Sequence, residues 1–94
     1  MTVEVTVELL GPSRLLSSEP ILRLDLADPP TLHALVLKLA RRCPALVGPV
    51  LDVERLTLAE GHVFNLNGRN FLRQPETLLT QGDRVLVLSS AAGG

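Results

Sequence analysis

Cysteine occurs once in these 94 residues, as Cys43, so no internal disulfide can form and the usage fits a reducing compartment. Tryptophan and tyrosine are absent, which leaves Phe64 and Phe71 as the only rings able to stack on a base. Lysine is almost absent too, Lys38 standing alone beside eight arginines. The formal net charge is −1 and the cations do not gather into a large basic patch, which argues against a nucleic-acid partner. No apolar run approaches the length of a membrane span. Met1-Thr2-Val3-Glu4 has neither the basic region nor the apolar core of a signal peptide. Together these absences predict a cytoplasmic protein bound to neither membrane nor nucleic acid.

Catalytic and metal-binding constellations are missing as well. His33 and His62 fall on different elements, with no Glu or Cys at ligand spacing, so each is expected to be structural or solvated. Gly11, Gly48, Gly61, Gly68 and Gly82 are isolated turn residues and do not form a phosphate cradle. Cys43 closes an apolar stripe and is expected to pack rather than react. The chain is thus expected to bind no cofactor or metal of its own and not to be an enzyme.

What is present is a folding pattern. An apolar content of 46% and a mean hydropathy of +0.30 suit one domain, which at this size buries somewhat over ~60% of its unfolded surface. From Thr2 to Leu9 the chain alternates strictly. Val3, Val5, Val7 and Leu9 share one face, and Thr2, Glu4, Thr6 and Glu8 share the other, a half-buried strand. Gly11-Pro12-Ser13 breaks it, and Leu15 and Leu16 are expected to pack over the core edge. A second alternation from Ile21 to Leu26 points Leu22, Leu24 and Leu26 inward, completing a hairpin. Thr31 follows Pro29-Pro30 as a helix N-cap, and Leu32, Leu35, Val36, Leu39 and Cys43 recur at helical spacing until Pro44 stops them. Arg41 and Arg42 suit the negative end of the helix; they could also meet an acidic partner. Pro44-Ala45-Leu46-Val47 reads as a short extra turn that Gly48-Pro49 breaks, and Val50 to Leu58 carries mixed periodicity and reads as a loop with at most one short element. His62 to Leu66, the Asn67-Gly68 turn and Asn70 to Leu72 read as a second hairpin. Leu78 and Leu79 are expected to fill the core before Gly82-Asp83 turns into a last strand, Arg84 to Leu88.

The order strand, strand, helix, strand, strand, strand predicts an α+β fold with one main helix on a mixed sheet of four to five strands. A β-grasp roll satisfies it, with the final strand beside the first in the middle of the sheet. That placement explains why Val85, Leu86, Val87 and Leu88 are all apolar. Residues 1–89 would form the body. Residues 90–94 would form a flexible tail, since Ser90 to Gly94 carry almost no side chain and two glycines thread a narrow cleft easily.

Three stretches, Asn65-Leu66-Asn67-Gly68-Arg69, Gly82-Asp83-Arg84-Val85 and Gly93-Gly94, resemble the MoaD/ThiS sulfur-carrier family. Pro44-Ala45-Leu46 resembles its molybdopterin-synthase small-subunit branch. The resemblance implies a ubiquitin-like β-grasp fold in which Gly94 is the acyl group, adenylated by an E1-like enzyme with that partner's ATP and magnesium, then converted to a thiocarboxylate. Gly93 and Ala92 would enter the partner's active site. Such an end needs activation because a carboxylate oxygen leaves badly, and an acyl-adenylate leaves well. Molybdopterin-type members have a Pro-Pro pair and an apolar residue before Gly-Gly, where this chain has Ser89-Ser90-Ala91-Ala92.

If Val85 and Val87 face the helix, as the resemblance implies, Leu86 and Leu88 face outward and offer a partner patch. Alternatively, residues 44–60 cover them. Sulfur carriage to a synthase subunit in molybdopterin or related biosynthesis is the first functional reading, with the protein monomeric by itself. A ubiquitin-like modifier joined through Gly94 to target lysines is the second, and a binding module with an idle tail the third. Iron–sulfur versions of the fold are excluded, because they need four cysteines.

Overall fold

The computed structural model describes residues 2–90, so the expectations for Ala92, Gly93 and Gly94 lie outside the described residues. Seven strands and one α-helix follow in the order β1 (Thr2–Leu9), β2 (Ile21–Ala27), α1 (Leu32–Arg42), β3 (Leu51–Asp52), β4 (Thr57–Leu58), β5 (His62–Leu66), β6 (Asn70–Leu72) and β7 (Arg84–Ser89). Five of them form one mixed sheet in the order β2-β1-β7-β5-β6, with β7 parallel to β1 and every other pairing antiparallel. This is the expected β-grasp arrangement, the last strand lying in the middle.

Alternation in the sequence sets the faces. Val5, Val7 and Leu9 of β1, Leu22, Leu24 and Leu26 of β2, and Val85 and Val87 of β7 are all buried against α1. The helix answers with Leu32, Leu35, Val36 and Leu39. Its start is fixed by the Thr31 hydroxyl, which accepts a bond from the Ala34 amide at 3.1 Å, an N-cap satisfying one orphan donor of the first turn. Cys43 lies one residue past the helix, where its amide donates to the Leu39 carbonyl at 2.8 Å. It is half-buried and packs at the core margin.

Three expectations are corrected. Leu15 is 87% exposed and Leu16 sits at the surface; Gly11–Leu16 forms a 3-10 turn whose three-residue period directs Ser13 inward instead. The Ser13 hydroxyl is satisfied there by donating to the Leu10 carbonyl at 2.9 Å. Leu79 fills the core, but Leu78 is exposed and contributes a backbone bridge to Thr31. Val50 to Leu58 holds two short strands rather than one element: β3 and β4 pair as a small ribbon that places Leu51 and Leu58 in the core. The turn expected after the helix is present, a 3-10 turn over Pro44–Leu46 that buries Leu46. Residues 44–60 pack on the helix side of the sheet and leave the opposite face open.

Candidate functional site

The open face is built by the residues of β7, β5 and β6 that alternate away from the core. Cross-strand register aligns Glu8, Leu86, Asn65 and Phe71 in one row, and Leu88 stands opposite Val63 in the next. Leu86 and Leu88 are each partly exposed, and Phe71 is 59% exposed. A hollow of about 300 Å³ is lined by Val63, Phe71, Arg73, Leu88, Ser89 and Ser90. A neighbouring hollow of about 270 Å³ runs past Leu86 between Glu8, Arg84 and the Asn67-Gly68 turn. The Arg84 guanidinium pairs with the Glu8 carboxylate at 2.9 Å along the rim. An apolar centre with a charged rim is the usual anatomy of a protein–protein contact.

Asn65 sits in the middle of that row, only 7% exposed, and its side-chain oxygen has no hydrogen-bond partner among the described residues. A buried polar atom without a partner is costly.

Both ends of β7 are tied down. At the start, the two sequence stretches that carried the resemblance meet: Asn67 and Asp83 hydrogen-bond through their side chains. Asp83 also accepts from the Thr80 amide at 2.7 Å and the Thr80 hydroxyl at 3.0 Å. Asn67 and Gly68 both take positive φ, 55° and 74°, and the Arg69 amide closes the turn on the Leu66 carbonyl at 3.0 Å. At the other end, His62 stands opposite Ser89, and the Ser90 amide donates to the Gly61 carbonyl at 2.8 Å. Gly93 and Gly94 are the third and fourth residues beyond that anchor.

The two histidines do not converge. The His33 amide donates to the Pro75 carbonyl near the start of α1, whereas His62 opens β5 with both ring nitrogens buried and unpaired among the described residues. No group of three His, Cys, Asp or Glu residues that could hold a metal occurs among the described residues. No helix of the described residues is long and apolar enough to cross a membrane.

Asn65, Phe71 and Val63 escaped the sequence reading of this face. A signal was present: the Asn67-Gly68 turn sets the β5–β6 register, and the register places Phe71 opposite Asn65 on the side away from buried Phe64. Asp83 was legible only as a turn former, the role its bonds to Thr80 serve; its link to Asn67 joins a distant part of the chain.

No family model matches the chain, and no curated protein matches it. Solved structures do. The small archaeal modifier protein 1 (SAMP1) of Methanosarcina acetivorans is 25% identical with a TM-score of 0.78, over 100% of this chain and 99% of that one. Urm1 of Trypanosoma brucei is 26% identical with a TM-score of 0.70, over 99% and 97%. A Pyrococcus furiosus protein described as a molybdopterin converting factor subunit 1 is 23% identical with a TM-score of 0.67, over 93% and 97%. The fold is therefore the ubiquitin-like β-grasp, and the chain resembles the small carriers and modifiers built on it.

Proposed function

We propose that this protein is a ubiquitin-like carrier whose working group is the Gly94 carboxylate, with residues 90–94 as the tail and the body, residues 1–89, serving as its handle. An E1-like enzyme would adenylate Gly94 with ATP and magnesium. Hydrosulfide, or a persulfide whose acyl disulfide product is then cleaved by a reducing thiol, would displace AMP and leave a thiocarboxylate for delivery to an acceptor. The protein is a co-substrate in this scheme and supplies no catalytic side chain. Gly93 and Ala92 are slim enough to follow Gly94 into a partner's active site. Leu86 and Leu88, with Phe71 beside them, would dock the body. Cytoplasmic residence fits the lone cysteine and the need for ATP.

The observation that carries this reading is the juxtaposition at the end of β7. The last backbone anchor among the described residues, Ser90 to Gly61, borders the apolar hollow around Leu88, and the glycine pair follows within a few residues of sequence. A partner gripping the open face would have the glycines within reach of its catalytic centre. Delivery to a molybdopterin-type acceptor is favoured by Pro44-Ala45-Leu46 and by the likeness to the Pyrococcus furiosus protein.

A second reading, conjugation of Gly94 to target lysines, is supported by the likeness to a protein that bears the name modifier. The activation step is the same. The two differ in what attacks the activated Gly94, a sulfur donor or a lysine amine. With Lys38 as the one lysine of its own, the protein would modify targets singly rather than build branched polymers.

Deleting Gly93 and Gly94 tests the proposal. Adenylation by the cognate E1-like enzyme should vanish while the thermal unfolding midpoint stays within about a degree or two, since no core residue is lost. Retained adenylation would overturn it.

A further inference from the structure

On the far side of the sheet from β5 and β6, strand β2 is an edge, paired through β1 alone. Its hydrogen-bonding alternation can be worked out. The Leu9 amide donates to the Pro20 carbonyl at 2.8 Å, and Leu9 and Pro20 continue the register in which Glu8 opposes Ile21. In an antiparallel ladder every second pair is hydrogen-bonded, so Val7 with Leu22 and Val5 with Leu24 exchange their bonds across the hairpin. Bonds on the other side of β1 agree: the Thr6 amide donates to Asp83 and the Glu4 carbonyl accepts from Gly82, both toward β7. The amide and carbonyl groups of Arg23 and Asp25 therefore point away from the sheet, toward the free edge.

Beside that edge lies a groove of about 350 Å³ between β2 and the last turns of α1. Arg23, Leu24 and Asp25 line one wall; Lys38, Arg41 and Arg42 line the other. Four cations thus meet one carboxylate. Arg42 is engaged by Glu19 at 3.1 Å, whereas Arg23, Lys38 and Arg41 have no ion pair among the described residues. An otherwise slightly acidic protein concentrates unneutralised positive charge here. Sheet edges are ordinarily blunted, and the charged side chains of Arg23 and Asp25 do serve that end. Lys38 and Arg41 are not on the edge strand, however, and blunting does not require them.

We propose that this groove receives an extended acidic segment of a partner protein, which adds as a strand to β2 with its carboxylates on the helix side, facing Lys38 and Arg41. Backbone pairing with Arg23 and Asp25 supplies register, and charge supplies selectivity. An isolated anion would gain the charge alone and leave the edge amides unused. The proposal goes beyond the carrier reading, and nothing in it requires Gly94 or the open face around Leu86.

The probe is a seven-residue peptide, the length of β2, alternating valine with glutamate, titrated into the isotope-labelled full chain by NMR. Amide shifts should concentrate at residues 23–25 and 38–42, and affinity should fall as salt rises. The same peptide with lysine for glutamate should not bind. The double variant Lys38→Glu with Arg41→Glu, both exposed, should weaken the glutamate peptide at least tenfold with the rest of the spectrum unchanged. Asp25→Pro separates strand pairing from charge. Loss of a carboxylate should tighten binding if charge acts alone, whereas loss of the outward amide weakens it if a strand is added. Tightening by Asp25→Pro, shifts confined to the open face, or no saturable binding would overturn the proposal. So would tighter binding at the groove by a short oligonucleotide, or concentration-dependent self-association through β2 without peptide.

Discussion

Asn67 and Asp83 are sixteen residues apart and hold the start of the central strand between them. The Asn67 amide group donates to an Asp83 carboxylate oxygen at 3.2 Å, while the Asn67 carbonyl oxygen accepts from the Arg84 backbone amide at 2.8 Å. The Asn67 backbone amide returns a bond to the Arg84 carbonyl at 2.7 Å. One residue therefore completes the β5–β6 turn and seats β7. The turn requires its positive φ, and asparagine is among the few side chains that adopt it readily.

Asn67→Ala should accordingly cost more than an exposed polar residue usually does, about 2 kcal/mol, from lost hydrogen bonds plus left-handed strain at a Cβ-bearing residue. Asn67→Gly keeps the backbone conformation and should cost about half as much. Urea denaturation of both variants checks the order. An equal loss would show that backbone conformation is immaterial at this position.

Core and surface leucines that look alike in sequence should behave differently. Leu79→Ala should destabilise by about 2–5 kcal/mol, as buried leucines do, whereas Leu78→Ala and Leu15→Ala should stay within about 0.5 kcal/mol. Thermal or chemical unfolding of the three variants decides this. A large loss at Leu15 would contradict its placement at the surface.

The open face should matter to partners and little to folding. Leu86→Glu should reduce kcat/KM for adenylation by an E1-like enzyme at least tenfold while changing stability by less than about 1 kcal/mol, since Leu86 is only partly buried. Phe71→Ala should act in the same direction more weakly. Steady-state kinetics together with unfolding curves separate the effects. Normal kinetics in both variants would move the docking surface elsewhere.

The pairing of Glu8 with Arg84 should contribute almost nothing to stability, because Arg84 is largely exposed and surface pairs are worth about 0–1 kcal/mol. Glu8→Gln should therefore leave the unfolding midpoint nearly unchanged in low and high salt alike. A marked salt-dependent loss would show that this pair organises the rim.

Much of this architecture could be read in advance because its periods are clean. Val3 to Leu9 and Leu22 to Leu26 alternate without a fault, Thr31 caps the stripe of Leu32, Leu35, Val36 and Leu39, and the uniformly apolar Val85 to Leu88 marks a central strand. What failed had no period to read. Leu15 and Leu16 lie in a 3-10 turn only six residues long, and β3 and β4 are two residues each, too short for alternation to show. At the candidate site the parity of Leu86 and Leu88 followed from Val85 and Val87. The Asn67-Gly68 hairpin already sets Phe71 opposite Asn65, but their meeting with Leu86 and the edge position of β2 follow only once strands are paired across long separations in the chain.

Intact-mass spectrometry of the protein isolated from its native cell is the most direct test of the carrier reading. An oxygen-to-sulfur exchange located at Gly94, lost when the adenylating enzyme is removed, is the predicted result. An unmodified carboxyl end in cells with an active E1-like enzyme, or a chain continuing unprocessed beyond Gly94, would contradict it.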